Sequence, residues 1–135
     1  MPELLRGEGV VAGRASGPAL VCTAPVSGWG GIDPATGTIV ESGHPQRGRS
    51  VAGTVLVMPG AKGSSGWSGQ FHLAKLLGTA PRAIVFAHMN SKLALGLAVL
   101  RVPAVTGPAT AGTIRTGDGL EVDGTAGTVL IRRED

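Results

Sequence analysis

The sequence predicts one α/β domain over residues 1–135: a mixed sheet with two helices, flanked by β-hairpins. Three observations predict it. Two apolar, β-branched runs, Val51–Met58 and Arg82–His88, enclose a helical pattern from Ser68 to Leu77. A second helix, Lys92–Leu100, precedes a short strand at Pro103–Val105, which makes the middle read strand–helix–strand–helix–strand. The 23 glycines and 9 prolines are spaced between apolar runs like turns, and do not cluster as in a disordered chain.

The elements follow in order. Gly9–Gly13 and Ala19–Thr23 are short runs separated by Ser16–Gly17–Pro18, which predicts an N-terminal hairpin. Pro25 to Arg49 is irregular, with a short strand expected at Thr38–Glu41 to break it; so long a loop in a small domain points either to function or to a misassigned element. In the first helix, Phe71, Ala74 and Leu77 share one face and Gly78 is a natural stop. Within the strand Arg82–His88 the run Ala83–Ala87 is apolar enough to be buried on both faces. Ser91 caps the second helix, which is apolar almost all round. The tail, GDGLEVDGTAGTVLIRRED, reads as strand, Asp–Gly turn, strand.

Composition excludes several functions. The net charge of +3 is scattered, and with two Trp, two Phe and no Tyr no aromatic residues interleave with the basic ones, so no nucleic-acid partner is expected. The longest apolar stretch, Leu93–Leu100, is too short to span a bilayer, and the N-terminus lacks the pattern of a signal peptide. No membrane association and a cytoplasmic location are the expectations. The single cysteine, Cys22, rules out an internal disulfide, and an iron–sulfur cluster or thiolate zinc site held by this chain alone. No two histidines stand at metal-ligand spacing, so no metal is expected.

The segment richest in chemistry is Gly63–Ser64–Ser65–Gly66, between a strong strand and a helix. Backbone amides and the positive end of a helix dipole there stabilise an alkoxide or hold an anion. The plainer reading is a flexible connector with Ser68 as N-cap. Lys62 precedes the serines, unlike the lysine of a P-loop, and there is no G-x-S-x-G elbow. His44, before Pro45, is expected to be extended and exposed. His72 suits a solvated helix face, and His88 the polar end of a buried strand. Asp33 before Pro34 suits an Asx turn, and Trp29 beside Gly30–Gly31 anchors a loop or lines a cleft.

ASGPALV (15–21), SGWGGIDPATGTIVE (27–41), His44–Pro45, VAGTVLVMP (51–59), GSSGWSG (63–69) and LALG (93–96) occur here in one order. In these the chain resembles the small-subunit, or swivel-domain, family of aconitase X. The resemblance covers roughly residues 7–107, and the WGG-DP-TG and GSS elements together carry its specificity. It implies a swivelling β/β/α fold. It also implies a hydro-lyase that dehydrates a small hydroxy acid, cis-3-hydroxy-L-proline or mevalonate 5-phosphate, with the first placed ahead. A large subunit would carry the iron–sulfur cluster, and the two chains would form a heterodimer or larger assembly active only together. By the same likeness Ser64 is the proton acceptor and Ser65 supports the substrate carboxylate, with Lys62, Gly63, Trp29, Gly30, Gly31, Asp33 and His44 around the substrate. Lys62, Arg47 and Arg49 are the cations available to a phosphorylated substrate. The C-terminal part also resembles the phosphohistidine swivel domain, but Lys92 stands where the phosphorylated histidine belongs, and phosphotransfer is rejected. A binding module that keeps the fold without a catalytic partner is the remaining alternative.

Overall fold

The computed structural model describes residues 3–27, 31–59, 61–62, 67–87, 98, 101–107 and 114–132. In chain order the strands are β1 (Glu3–Arg6), β2 (Glu8–Val11), β3 (Arg14–Val21), β4 (Val26–Ser27), β5 (Ile32–Asp33), β6 (Thr38–Ile39), β7 (Val55–Met58) and β8 (Ala61–Lys62). The helix α1 (Trp67–Leu77) follows, then β9 (Ala83–Phe86), β10 (Ala104–Thr106), β11 (Gly119–Asp123) and β12 (Thr128–Arg132).

Eight strands form one sheet in the order β1-β12-β11-β3-β7-β9-β10-β2. Its centre, β3-β7-β9-β10, is parallel, and both flanks are antiparallel. The two outermost strands, β1 and β2, are neighbours in the chain across Gly7, whose amide donates to the Gly127 carbonyl at 2.8 Å. The sheet therefore curls until its ends nearly meet.

Side-chain alternation splits the core in two. Val55 and Val57 of β7, Ala83 and Val85 of β9 and Val105 of β10 pack on Leu120, Val122, Val129 and Ile131 inside the curl. Leu56, Met58, Ile84, Phe86 and Ala104 face the other way, onto Cys22, Val26, Ile32, Ile39 and Val51 of the long connection between β3 and β7. All four residues of β7 and of β9 are buried, which is what strands covered on both faces show and what the sequence predicted for β9. The end of α1 is tied to that outer layer: the Thr79 hydroxyl donates to the Pro34 carbonyl at 2.6 Å. At Gly78 (φ 75°) the helix stops in a Schellman turn, with Thr79 N–H donating to the Ala74 carbonyl at 2.8 Å and Gly78 N–H to the Lys75 carbonyl at 3.3 Å.

Several expectations change. There is no N-terminal hairpin: β3 runs straight through Ser16–Gly17–Pro18 and pairs with β11 and β7, while β2 pairs with β10. The strand expected at Val51–Met58 begins only at Val55, because the chain turns at Gly53 (φ 70°). The piece expected at Thr38–Glu41 shortens to Thr38–Ile39. Leu77 is 52 % exposed, so the buried stripe of α1 includes Ala74 but not Leu77. One helix is present among the described residues where two were expected; the predicted helix 92–100 lies outside them apart from Ala98. The C-terminal hairpin stands as expected.

Candidate functional site

Beyond the carboxyl end of β3 the chain enters β4, and beyond that of β7 it enters β8. These two short strands pair in parallel, Val26 with Ala61 and Ser27 with Lys62. The chain thus leaves for Gly28–Trp29–Gly30 and for Gly63–Ser64–Ser65–Gly66 from adjacent strands running the same way. Those two segments, with the side chain of Lys62, lie outside the described residues, as do His88 and Lys92.

Gly31, Asp33 and His44 are described, and each has a structural task. The Gly31 carbonyl accepts from the amides of Val40 at 2.9 Å and Glu41 at 3.2 Å, closing the β5–β6 hairpin. Asp33 Oδ1 accepts from the Ala35 amide at 3.0 Å, the expected Asx turn, and the Asp33 carbonyl accepts from Gly37 at 2.7 Å. Gly37 (φ 74°) lets the turn approach the helix end: a Cβ there would lie 2.9 Å from the Thr79 carbonyl oxygen.

His44 is not the exposed residue the sequence suggested; it is 7 % exposed. Its Nε2 lies 3.0 Å from the Ala24 carbonyl oxygen, and its Nδ1 lies 3.0 Å from the Gln46 amide nitrogen. A carbonyl only accepts and an amide only donates, so these partners assign the neutral ring with its proton on Nε2. Gln46 adds a second staple, its Oε1 accepting from the Thr23 amide at 3.0 Å. Together they fasten loop 41–49 to Thr23–Ala24, just before β4. Both ring nitrogens are engaged, so His44 positions the segment leading to Trp29 and has no lone pair left for a substrate proton. Gln46 and Thr79 were not singled out from the sequence, because their partners lie 23 and 45 residues away.

Cys22 does not fit an iron–sulfur cluster. It is buried to 2 % exposure inside the apolar layer, and burial pushes its thiol pKa up to about 11. Cluster ligation needs several thiolates, and among the described residues no three His, Cys, Asp or Glu side chains gather as a metal site. Nor, among them, is any helix long and apolar enough to cross a membrane.

A parallel sheet centre, a second β layer curled over one face, and loops over the other, with a helix tied to them at its end, define a mixed, sheet-dominated α/β domain of the swivel type. The aconitase X swivel domain model matches residues 4–131, and the chain belongs to that family. It is 40 % identical to the phosphomevalonate dehydratase small subunit of Methanocella arvoryzae over 93 % of this chain and 96 % of that one. The protein of the same name from Methanothermobacter thermautotrophicus is 38 % identical over 87 % and 91 %. A crystal structure of Thermococcus kodakaraensis aconitase X in its holo-form superposes with a TM-score of 0.91 at 33 % identity, covering 97 % of this chain and 99 % of that one.

Proposed function

We propose that this chain is the small subunit of a dehydratase that removes water from mevalonate 5-phosphate. The supporting observation is the 40 % identity, over nearly the full length of both chains, to a small subunit named for that reaction. It reverses the order in which the sequence alone placed the two substrates. The iron–sulfur cluster that the family resemblance implies is assigned to a larger partner subunit, because the one buried cysteine of this chain cannot supply the several thiolates a cluster needs.

In the elimination a base takes the proton on the carbon next to the carboxylate. The electron pair of that C–H bond becomes the double bond, and the hydroxyl on the neighbouring carbon leaves, joining a proton as water. Ser64 is the proton acceptor and Ser65 steadies the carboxylate. The parallel β4–β8 pair supports this assignment, since it sets the lead-in to Ser64 beside the lead-in to Trp29. A serine accepts a proton only where its alkoxide is stabilised, and the amino end of α1 with Lys62 is the stabiliser. Arg47 and Arg49 are exposed on the loop that His44 and Gln46 fasten, and supply cations for the phosphate.

The test is turnover by the chain co-purified with a cluster-bearing large subunit. Mevalonate 5-phosphate should be dehydrated by the pair and by neither chain alone. Ser64→Ala should lower kcat by roughly 10²- to 10⁴-fold with little change in KM, whereas Ser65→Ala should mainly raise KM. Activity on cis-3-hydroxy-L-proline alone would overturn the substrate, and near-normal kcat in both variants would remove the serine base.

A further inference from the structure

An open groove of about 710 Å³ lies at the amino ends of the parallel strands, lined by Ala12–Gly13 and the first residues of β3, by Pro81–Arg82 before β9 and by Arg101–Pro103 before β10. The β4–β8 pair stands beyond the carboxyl ends of β3 and β7, so the groove is at the opposite pole of the sheet from the serine turn's lead-in. Four cationic side chains line it, Arg14, Lys75, Arg82 and Arg101, and no carboxylate does so among the described residues. At its rim Asp123 holds Arg14, Oδ2 to Nε at 3.1 Å. The Arg82 side chain crosses Gly17, where a Cβ would lie 3.5 Å from its Cδ. Arg101 has φ 58°, and among the described residues it is the only one besides glycine with a positive φ. Asparagine or glycine takes that conformation more easily than arginine. A strained backbone that keeps a cation on the groove wall points to a use for the charge.

We infer that this groove binds a linear, multiply charged phosphate chain. Several guanidinium groups around one open groove suit phosphate oxygens, which accept charge-assisted and often bidentate hydrogen bonds from arginine. The groove is larger than one tetrahedral anion needs and falls in the size range of small-ligand sites. Linked phosphates can come from an inorganic polyphosphate or from a nucleoside triphosphate, and the chemistry recognised is the same. The inference is independent of the dehydration, since it concerns the other end of the sheet.

Calorimetric titration of the full chain with sodium tripolyphosphate tests it, with ATP and sodium sulfate as parallel arms at matched ionic strength. Tripolyphosphate should bind at least tenfold tighter than sulfate. Tighter binding of ATP than of tripolyphosphate assigns a nucleotide; equal or weaker binding assigns the inorganic chain. Arg101→Asn removes the charge while suiting the left-handed backbone, and Arg82→Gln removes the second. Each should weaken tripolyphosphate about tenfold or more, the usual worth of a hydrogen bond to a charged group. Arg82→Lys should restore part of the loss. Arg115→Gln makes the same charge change near the other end of β3, where Thr116 and Gly117 bond to Val21 and Ala19, and should change little. Sulfate binding as tightly as tripolyphosphate, or Arg115→Gln weakening it as much as Arg82→Gln and Arg101→Asn do, would overturn the site.

Discussion

Replacing Gly124 by alanine tests the closure of the sheet. Gly124 starts the turn between β11 and β12, and its amide donates to the Gly13 carbonyl at 2.8 Å. A methyl group there would fall inside the Val11 carbonyl oxygen, 2.9 Å from the carbonyl carbon and 3.3 Å from the Ala104 amide nitrogen. All three are backbone atoms, so no side chain can swing aside. Restoring an ordinary carbon–oxygen contact of about 3.3 Å requires β2 and the turn to part. Parting them sacrifices the Gly124–Gly13 bond and strains the neighbouring approach of Gly9 to Gly124, at about 1 kcal/mol per hydrogen bond. Overpacking adds about 1–3 kcal/mol, for a total of about 2–4 kcal/mol. For a chain of this size that lowers Tm by roughly 6–20 °C. The comparison variant is Gly43→Ala. Gly43 has φ 76° but nothing within 4 Å of its Cβ position, so the cost is the left-handed penalty alone, about 1–2 kcal/mol. Urea and thermal denaturation of both variants give the answer. If Gly124→Ala costs no more than Gly43→Ala, the close approach is not what holds the two ends of the sheet.

Further outcomes follow from two buried groups. Cys22 should resist a disulfide reagent at pH 8 in the folded chain and react once urea unfolds it. Its folded pKa, about 11 against 9.0 for the open chain, makes the folded state bind more protons between those values. The stability it contributes is intact below pH 9 and is lost as the pH rises towards 11, which denaturant midpoints across that range would reveal. His44→Ala should cost about 2–3 kcal/mol, because it strips partners from the Ala24 carbonyl and the Gln46 amide. His44→Asn keeps an acceptor near Nδ1 and should recover part of that in urea titrations; equal losses in the two variants would contradict the assigned hydrogen bonds.

The sequence revealed the elements whose pattern is local. Val55–Met58 and Ala83–Phe86 are unbroken apolar runs because both faces are covered, and Gly78 marks the helix end because only a left-handed residue completes that turn. Ser16–Gly17–Pro18 misled because turn residues serve here as packing residues. Gly17 admits the Gly53 carbonyl oxygen, 3.1 Å from where a Cβ would be. Pro18 stands one position before the β7 ladder begins at Ala19, so its missing amide forfeits no bond on that side. His44 looked solvated beside Pro45, but the carbonyl that buries it lies twenty residues earlier, a distance that local composition does not encode. The same limit hid β4 and β8, whose two-residue lengths carry no periodicity. The quoted WGG and GSS motifs could be read as one site only through a resemblance.

Because β1 pairs with β12 and β2 with β10, the earliest strands of this chain wait for the latest. Glu3 sits opposite Ile131, a separation that spans nearly the entire sequence. During synthesis the first eleven residues have no partner in the sheet until β10 and then β12 have been made. Such contacts are slow to form, since the entropy of closing a long loop is spent before any pairing rewards it. The parallel centre can assemble earlier, from β3, β7 and β9, while the strands that seal the curl remain unpaired. Folding of the complete sheet is therefore a late event, and the interval before it is when exposed strand edges are most open to pairing with another chain.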